Sequence, residues 1–274
     1  MPAMFVAATT GDRIVIVKSA TGAIVREIAK ATGVSAIAVS ADLVWIQRGL
    51  SEDCDVIESV SLTGGRISRL AEGRSPSVSP DGRRLAWVRS WDCGHEGFDM
   101  YVKELRSGAV RHWGMEHVDA GFAGIEWTED SRHVYRLLCS GVGCDPEIVD
   151  ADAPDWHNGT FIHTEEVDGK EDPDGPYPSL EKVVRRGSHF VGTISYADLG
   201  EAPGPFPTLE FDRSGRILGQ VFEDGRAIEL CGYDSTGTYL LAAEDGKGLV
   251  IWVDGRAVKR FTNLRVGAWA ESMR

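Results

Sequence analysis

The 274-residue chain has no long apolar run. Stretches such as Leu249-Val250-Ile251-Trp252-Val253 fall far short of the roughly 18 residues of a membrane-spanning helix, so no transmembrane segment is expected. A signal peptide is not expected either, because Met1-Pro2-Ala3-Met4 carries no basic residue and leads straight into strand-like sequence. Origin as a segment of a longer secreted or membrane-anchored protein stays open on that reading. Basic residues are scarce: 29 Lys and Arg face 42 Asp and Glu, a formal charge of −13. Nucleic-acid binding needs clustered cations to neutralise phosphates, so no nucleic-acid partner is expected. The pairs Arg83-Arg84 and Arg185-Arg186 are too short to reverse this and read as solvated turn residues. Catalytic signatures are missing too. The chain has no Gly-x-Ser-x-Gly elbow, no His-Glu-x-x-His, no phosphate-binding loop and no dinucleotide fingerprint. Its seven histidines are scattered without paired spacing. No catalytic residue and no cofactor are therefore assigned, and a non-enzymatic role is preferred.

Glycine is plentiful, at 32 residues, with 11 prolines beside it. That stock suits many short strands joined by tight turns. The clearest unit runs Ser77-Val78-Ser79-Pro80-Asp81-Gly82, then Arg84 to Arg89, Asp99 to Glu104 and Val110 to Trp113. Pro-Asp-Gly is a hairpin turn by mechanism, since Pro fixes φ and Gly accepts positive φ. Four short strands in succession make an antiparallel up-and-down sheet. The same order recurs at Ala36 to Leu70, at Gly124 to His163 and at Glu229 to Phe261, with Asp42, Asp130 and Asp234 in the turn that Asp81 marks. A more divergent copy fits Leu180 to Phe222. Repeats of about 40–45 residues point to propeller blades. Met4 to Ala8, Arg13 to Val17 and Ala23 to Ile28 make three strands without a first one, and Val266 to Glu271 is a lone strand resembling Ile125 to Glu129. Joining them completes a sixth blade and removes the exposed sheet edges. The expectation is an all-β, six-bladed β-propeller of four-stranded antiparallel blades, closed by the C-terminal strand pairing into the N-terminal blade. As one domain over 1–274, its blades are 266–274 with 3–30, then 34–71, 75–115, 122–165, 178–224 and 227–263.

The pattern Ser79-Pro80-Asp81-Gly82 followed by Leu85-Ala86-Trp87 resembles the repeat of TolB-like propellers, also seen in propellers attached to prolyl-oligopeptidase-type peptidases. The copies at Asp42, Asp130 and Asp234 are degenerate. The resemblance covers most of the chain as fold. It implies the company of periplasmic interaction domains, extracellular sensor domains and substrate-gating domains of peptidases.

Loops decide what a propeller does, because the blades only hold them. Of five cysteines, Cys54, Cys93, Cys139 and Cys144 fall in loops between second and third strands of three successive blades. The expectation is two disulfides: Cys139 with Cys144 inside one loop, and Cys54 with Cys93 between neighbouring blades. Cys231, in an innermost strand, is expected to be a buried small hydrophobe. Such pairing places the protein in an oxidising compartment, periplasmic or at the cell surface rather than cytoplasmic. A zinc site from Cys54, Cys93, His95 and Cys139 or Cys144 is the weaker reading, since there is no Cys-x-x-Cys and Cys93-Gly94-His95 is not a usual ligand spacing. No metal is assigned.

The loop Ser90 to Phe98 holds the richest set of functional side chains. Trp91 and Phe98 suit stacking on a ligand, and Asp92, His95 and Glu96 suit bonding to it. These five are the candidate binding residues, weighed against a plain packing role. Asp155-Trp156-His157-Asn158-Gly159 reads as a turn on the opposite face, and the acidic segment Glu165 to Gly175 as a solvated loop without calcium-loop spacing. The leading function is an interaction, scaffolding or sensor propeller binding a protein or peptide, as the extracytoplasmic domain of a bacterial surface or signalling protein. The alternatives are a hydrolase or lyase and a carbohydrate-binding propeller. The turn aspartates are committed to hairpins on the far face, which leaves the first of these only Asp92, His95 and Glu96. The second would need an exposed Trp repeated in each blade, whereas Trp45, Trp87 and Trp252 read as inter-blade core.

Overall fold

A computed structural model describes residues 1–49, 54–90, 98–114, 121–140, 143–154, 160–161, 177–197, 207–222 and 228–270. It is a six-bladed propeller of four-stranded antiparallel sheets, with no helix among the described residues. The first blade sets β1 (Met4–Thr9), β2 (Arg13–Lys18) and β3 (Ile24–Lys30) beside β24 (Leu264–Trp269). The second holds β4 (Val34–Val39), β5 (Leu43–Gly49), β6 (Asp55–Ser61) and β7 (Ser68–Glu72). The third holds β8 (Arg74–Val78), β9 (Arg84–Ser90), β10 (Phe98–Glu104) and β11 (Val110–Gly114). The fourth holds β12 (Gly121–Trp127), β13 (His133–Ser140), β14 (Gly143–Asp150) and β15 (Thr160–Phe161). The fifth holds β16 (Tyr177–Arg186), β17 (His189–Ala197), β18 (Thr208–Phe211) and β19 (Ile217–Phe222). The sixth holds β20 (Ile228–Tyr233), β21 (Leu240–Glu244), β22 (Gly248–Val253) and β23 (Arg256–Phe261). The first strands touch in ring order, β24 to β4, β8, β12, β16, β20 and back to β24.

Position in the blade sets each strand's composition. Middle strands are covered on both faces by neighbouring blades, so Ile14 to Val17 of β2 and Leu249 to Trp252 of β22 are buried without alternation. Outermost strands meet water, and β23 exposes Arg256, Ala257, Val258 and Arg260. Trp45 and Trp87 share the apolar seam between the second and third blades, and Trp252 lies in that between the fifth and sixth. Trp127 is fully buried and donates its indole N–H to the Ser77 carbonyl of the preceding blade at 3.0 Å. One buried ion pair joins adjacent strands: Arg136 Nε donates to Glu147 Oε2 at 2.6 Å.

The turn aspartates act as hairpin clamps. Asp81 accepts the Ser79 hydroxyl and the Arg83 amide, and Asp130 accepts the Thr128 hydroxyl and the amides of Arg132 and His133. Asp234 takes the amides of Thr238 and Tyr239. The divergent fifth blade uses Asp212 in the same way between β18 and β19, with the amides of Ser214 and Arg216.

Closure comes from β24 on β1, where Phe5 opposes Trp269 and Ala8 opposes Val266. The Trp269 indole N–H is shared between the Gly232 and Tyr239 carbonyls of the sixth blade, at 3.2 and 3.1 Å, and its ring packs edge-on against Phe5.

Candidate functional site: the central channel

Each of the six innermost strands breaks register with its neighbour where it lines the channel. The irregularities fall at Val34/Ala36, Arg74/Ser77, Phe122/Gly124, Leu180/Lys182 and Leu230/Gly232, with the sixth where β24 skips Arg265 against β1. A bulge re-aims side chains and turns otherwise inward or sideways positions toward the axis. The result is a cavity of about 420 Å³ lined by residues of all six first strands, with Gln47 and Asp55 from the ends of β5 and β6. A wider recess of about 820 Å³ shares Lys182 and Glu229 with it.

The cavity is built from charges in apolar surroundings. Glu126 of β12 accepts the Trp127 amide at 3.0 Å and lies 3.5 Å from the Ser77 hydroxyl. Burial pushes its carboxyl up to about 7, against the opposing pull of Arg185, the two hydrogen bonds and Lys182. Lys182 of β16 pairs with Glu229 of β20 at 2.9 Å. Gln47 Nε2 donates to Asp55 at 2.7 Å, and Gln47 Oε1 accepts the Ser75 amide at 2.7 Å.

Arg74 opens β8 directly after Gly73, whose φ of 143° suits only glycine; a Cβ there would stand 2.5 Å from the Val88 carbonyl oxygen. The Arg74 guanidinium lies over the Phe98 ring at 4.9 Å from its centroid. Its Nε is buried without a hydrogen-bond partner, and so is that of Arg185. Desolvation lowers the Arg74 pKa, with the field of Asp55 opposing it.

Of the five predicted binding residues, Trp91, Asp92, His95 and Glu96 lie outside the described residues. Phe98 is described: it is buried, begins β10, and is the ring beneath Arg74. The strand that begins with Phe98 thus starts next to Arg74 of the channel lining. Cys54 is disulfide-bonded. Cys93 lies outside the described residues, as do Trp156, His157, Asn158 and the acidic segment. Cys139 and Cys144 stand directly opposite each other in the β13–β14 register. No group of three or more His, Cys, Asp or Glu among the described residues is placed to hold a metal.

Cys231, expected as a buried small hydrophobe in an innermost strand, is a free, partly buried cysteine packed against two apolar clusters; it is the residue skipped in the β20 bulge and also lines the channel. Burial of the sulfur raises its pKa. Sequence reasoning also missed Arg74, Glu126 and Lys182. The available signal was a charged residue within the first strand of a blade, where the outer strands' apolar periodicity says nothing about the axis.

No protein-family model matches the sequence. A stretch of 86 residues, 29% of this chain, is 31% identical to dipeptidyl-peptidase 5 of Porphyromonas gingivalis, of which it takes in 12%. TolB from Acinetobacter baumannii superposes with a TM-score of 0.64 at 14% identity, over 97% of this chain and 66% of that one. A structure described as a putative TolB from Agrobacterium tumefaciens gives 0.57 at 15% identity, over 77% and 75%. The fold is that of a TolB-like propeller. The chain spans only a small part of the peptidase and just under two thirds of the first TolB.

Proposed function

We propose that this propeller is a non-enzymatic binding module that engages a protein or peptide on the face where the channel cavity opens. The observation that carries this reading is the cavity itself: charged residues from successive blades converge on one axis at the end where second-to-third-strand loops return, Phe98 included. Rigid blades with side chains converging from several elements are the usual plan of a binding site. In this proposal Trp91, Asp92, His95 and Glu96 form the rim and the channel residues form the floor. A sensor or scaffolding role as the extracytoplasmic domain of a bacterial surface or signalling protein fits the disulfide at Cys54, since such bonds persist in oxidising compartments. Pairing of Cys54 with Cys93, and of Cys139 with Cys144, belongs to the same proposal, and the opposed register of the second pair supports it.

The test is chemical cross-linking in source cells followed by mass spectrometry, comparing wild type with Trp91→Ala and His95→Ala. A partner recovered by wild type and lost from both variants, at unchanged melting temperature, supports the rim. Undiminished recovery from both variants overturns it.

A second reading is favoured by the 86-residue match to a peptidase. In it the propeller serves a hydrolase, and release of p-nitroaniline from dipeptidyl substrates by the source protein would decide for it.

A further inference from the structure

We propose that the channel cavity binds a small organic carboxylate, its anionic group seated by Arg74 and Lys182 next to Glu126, which holds its proton in the bound state. This inference goes beyond the partner-binding reading and stands or falls separately from it.

The first ground is unspent hydrogen-bonding capacity. A buried donor without a partner is costly, the more so when it is charged, so native structures keep few of them. Arg74 makes no ion pair and no side-chain hydrogen bond among the described residues, yet it lines the cavity. Its nearest source of opposing field, Asp55, already accepts from Gln47. Phe98 packs on one face of the guanidinium, whose Nε keeps an unused donor. Arg185, whose Nε is also unsatisfied, adds its field at Glu126.

The second ground is the charge inventory. Ser77 from β8 and Lys182 and Arg185 from β16 act on Glu126 directly, and Arg74 from β8, Glu229 and the Cys231 thiol from β20, and Asp55 from β6 line the cavity with it. The residues lining the cavity from β4 and β24 carry no charge. Three cations thus stand against three carboxylates. With Glu126 ionised the set is neutral; with Glu126 protonated it holds one positive charge in excess, which an incoming monoanionic group neutralises. The bound anion repels the ionised form of Glu126 and raises its pKa further, so affinity falls as pH rises through about 7, by at most about tenfold per unit for one linked proton. A cavity of about 420 Å³ limits the ligand to small-molecule size.

A free organic acid and the end of a peptide both carry this group, and isothermal titration separates them. Succinate and triglycine are the probes, triglycinamide is the control lacking the carboxylate, and each is titrated at pH 6 and pH 8 in buffers of differing ionisation enthalpy. The expected result is saturable binding of succinate or triglycine, none of triglycinamide, little proton uptake at pH 6 rising toward one proton at pH 8, and several-fold weaker binding at pH 8. Arg74→Gln should weaken binding about tenfold or more, as loss of a charge-assisted pair does. Glu126→Gln should bind succinate about equally at both pH values. Lys182→Gln serves in place of Arg74→Gln if that variant does not fold. No heat from either acid at millimolar concentration at pH 6 overturns the proposal. Undiminished binding to the Arg or Lys variant, or pH dependence retained in Glu126→Gln, overturns it too. None of these outcomes touches the cross-linking result at Trp91 and His95.

Discussion

Glu126 couples the stability of the protein to pH with a definite sign. Its folded-state pKa near 7 stands above the ordinary carboxyl value near 4.5, because burial disfavours the charge more than Arg185 and the hydrogen bonds restore it. Below about 4.5 both folded and unfolded chains hold the proton. Between there and 7 the folded chain holds it more often, so stability falls as pH rises and levels off above 7. Glutamine mimics the protonated acid. Glu126→Gln should therefore nearly match wild type in urea unfolding at pH 4.5 and exceed it at pH 8, by on the order of 3 kcal/mol. A variant less stable than wild type at pH 8 would mean that the ionised carboxylate is a net stabiliser.

At the scale of the hairpin, one carboxylate organises several backbone amides. Asp130 is held below the ordinary carboxylate range: burial pushes its pKa up, but the Thr128 hydroxyl and the His133 and Arg132 amides outweigh that. Asp130→Ala strands those donors and should cost about 1–2 kcal/mol at pH 7. Because a depressed pKa contributes above the unfolded value and is lost as pH falls through the folded one, the gap between variant and wild type should narrow below pH 4. Chemical denaturation at pH 7 and pH 3 reads both effects; an equal gap at the two values would assign the cost to packing. These turns are the part of the fold that the sequence made most legible. Ser79-x-Asp81 and Thr128-x-Asp130 announce hairpins because the chemistry is local, complete within a few residues. The split first blade was legible for a related reason, since a lone strand resembling Ile125 to Glu129 has only one place to pair. The bulges were not legible. Whether Cys231 or Leu230 is skipped depends on the pairing of β20 with β21, a relation between two segments that neither encodes alone. The channel site is built on such bulges, which is why Arg74, Glu126 and Lys182 escaped a reading made along the chain.

The ring as a whole depends on a seam where the two ends of the chain meet, as where Arg265 donates to the Thr9 carbonyl 256 positions away. Trp269 anchors that seam through its contact with Phe5 and its indole hydrogen bonds into the sixth blade. Trp113, equally buried with its own indole bond to the Ala153 carbonyl, lies between the third and fourth blades and joins no chain ends. Truncating a buried Trp to Ala costs about 3–5 kcal/mol at either site, or roughly 6–20 °C in melting temperature for a chain of this size. What separates them is where the structure opens. Opening the seam exposes β1 and β24 as free edges and frees the first and sixth blades to move apart, whereas damage at Trp113 leaves the ring shut. Trp269→Ala should therefore speed amide exchange together in β1, β24 and β20, and favour self-association through the exposed edges. Trp113→Ala should confine faster exchange to β11 and the strands around it. If both variants instead exchanged faster around the whole ring, closure would be shared by every blade interface and the seam would hold no special place in it.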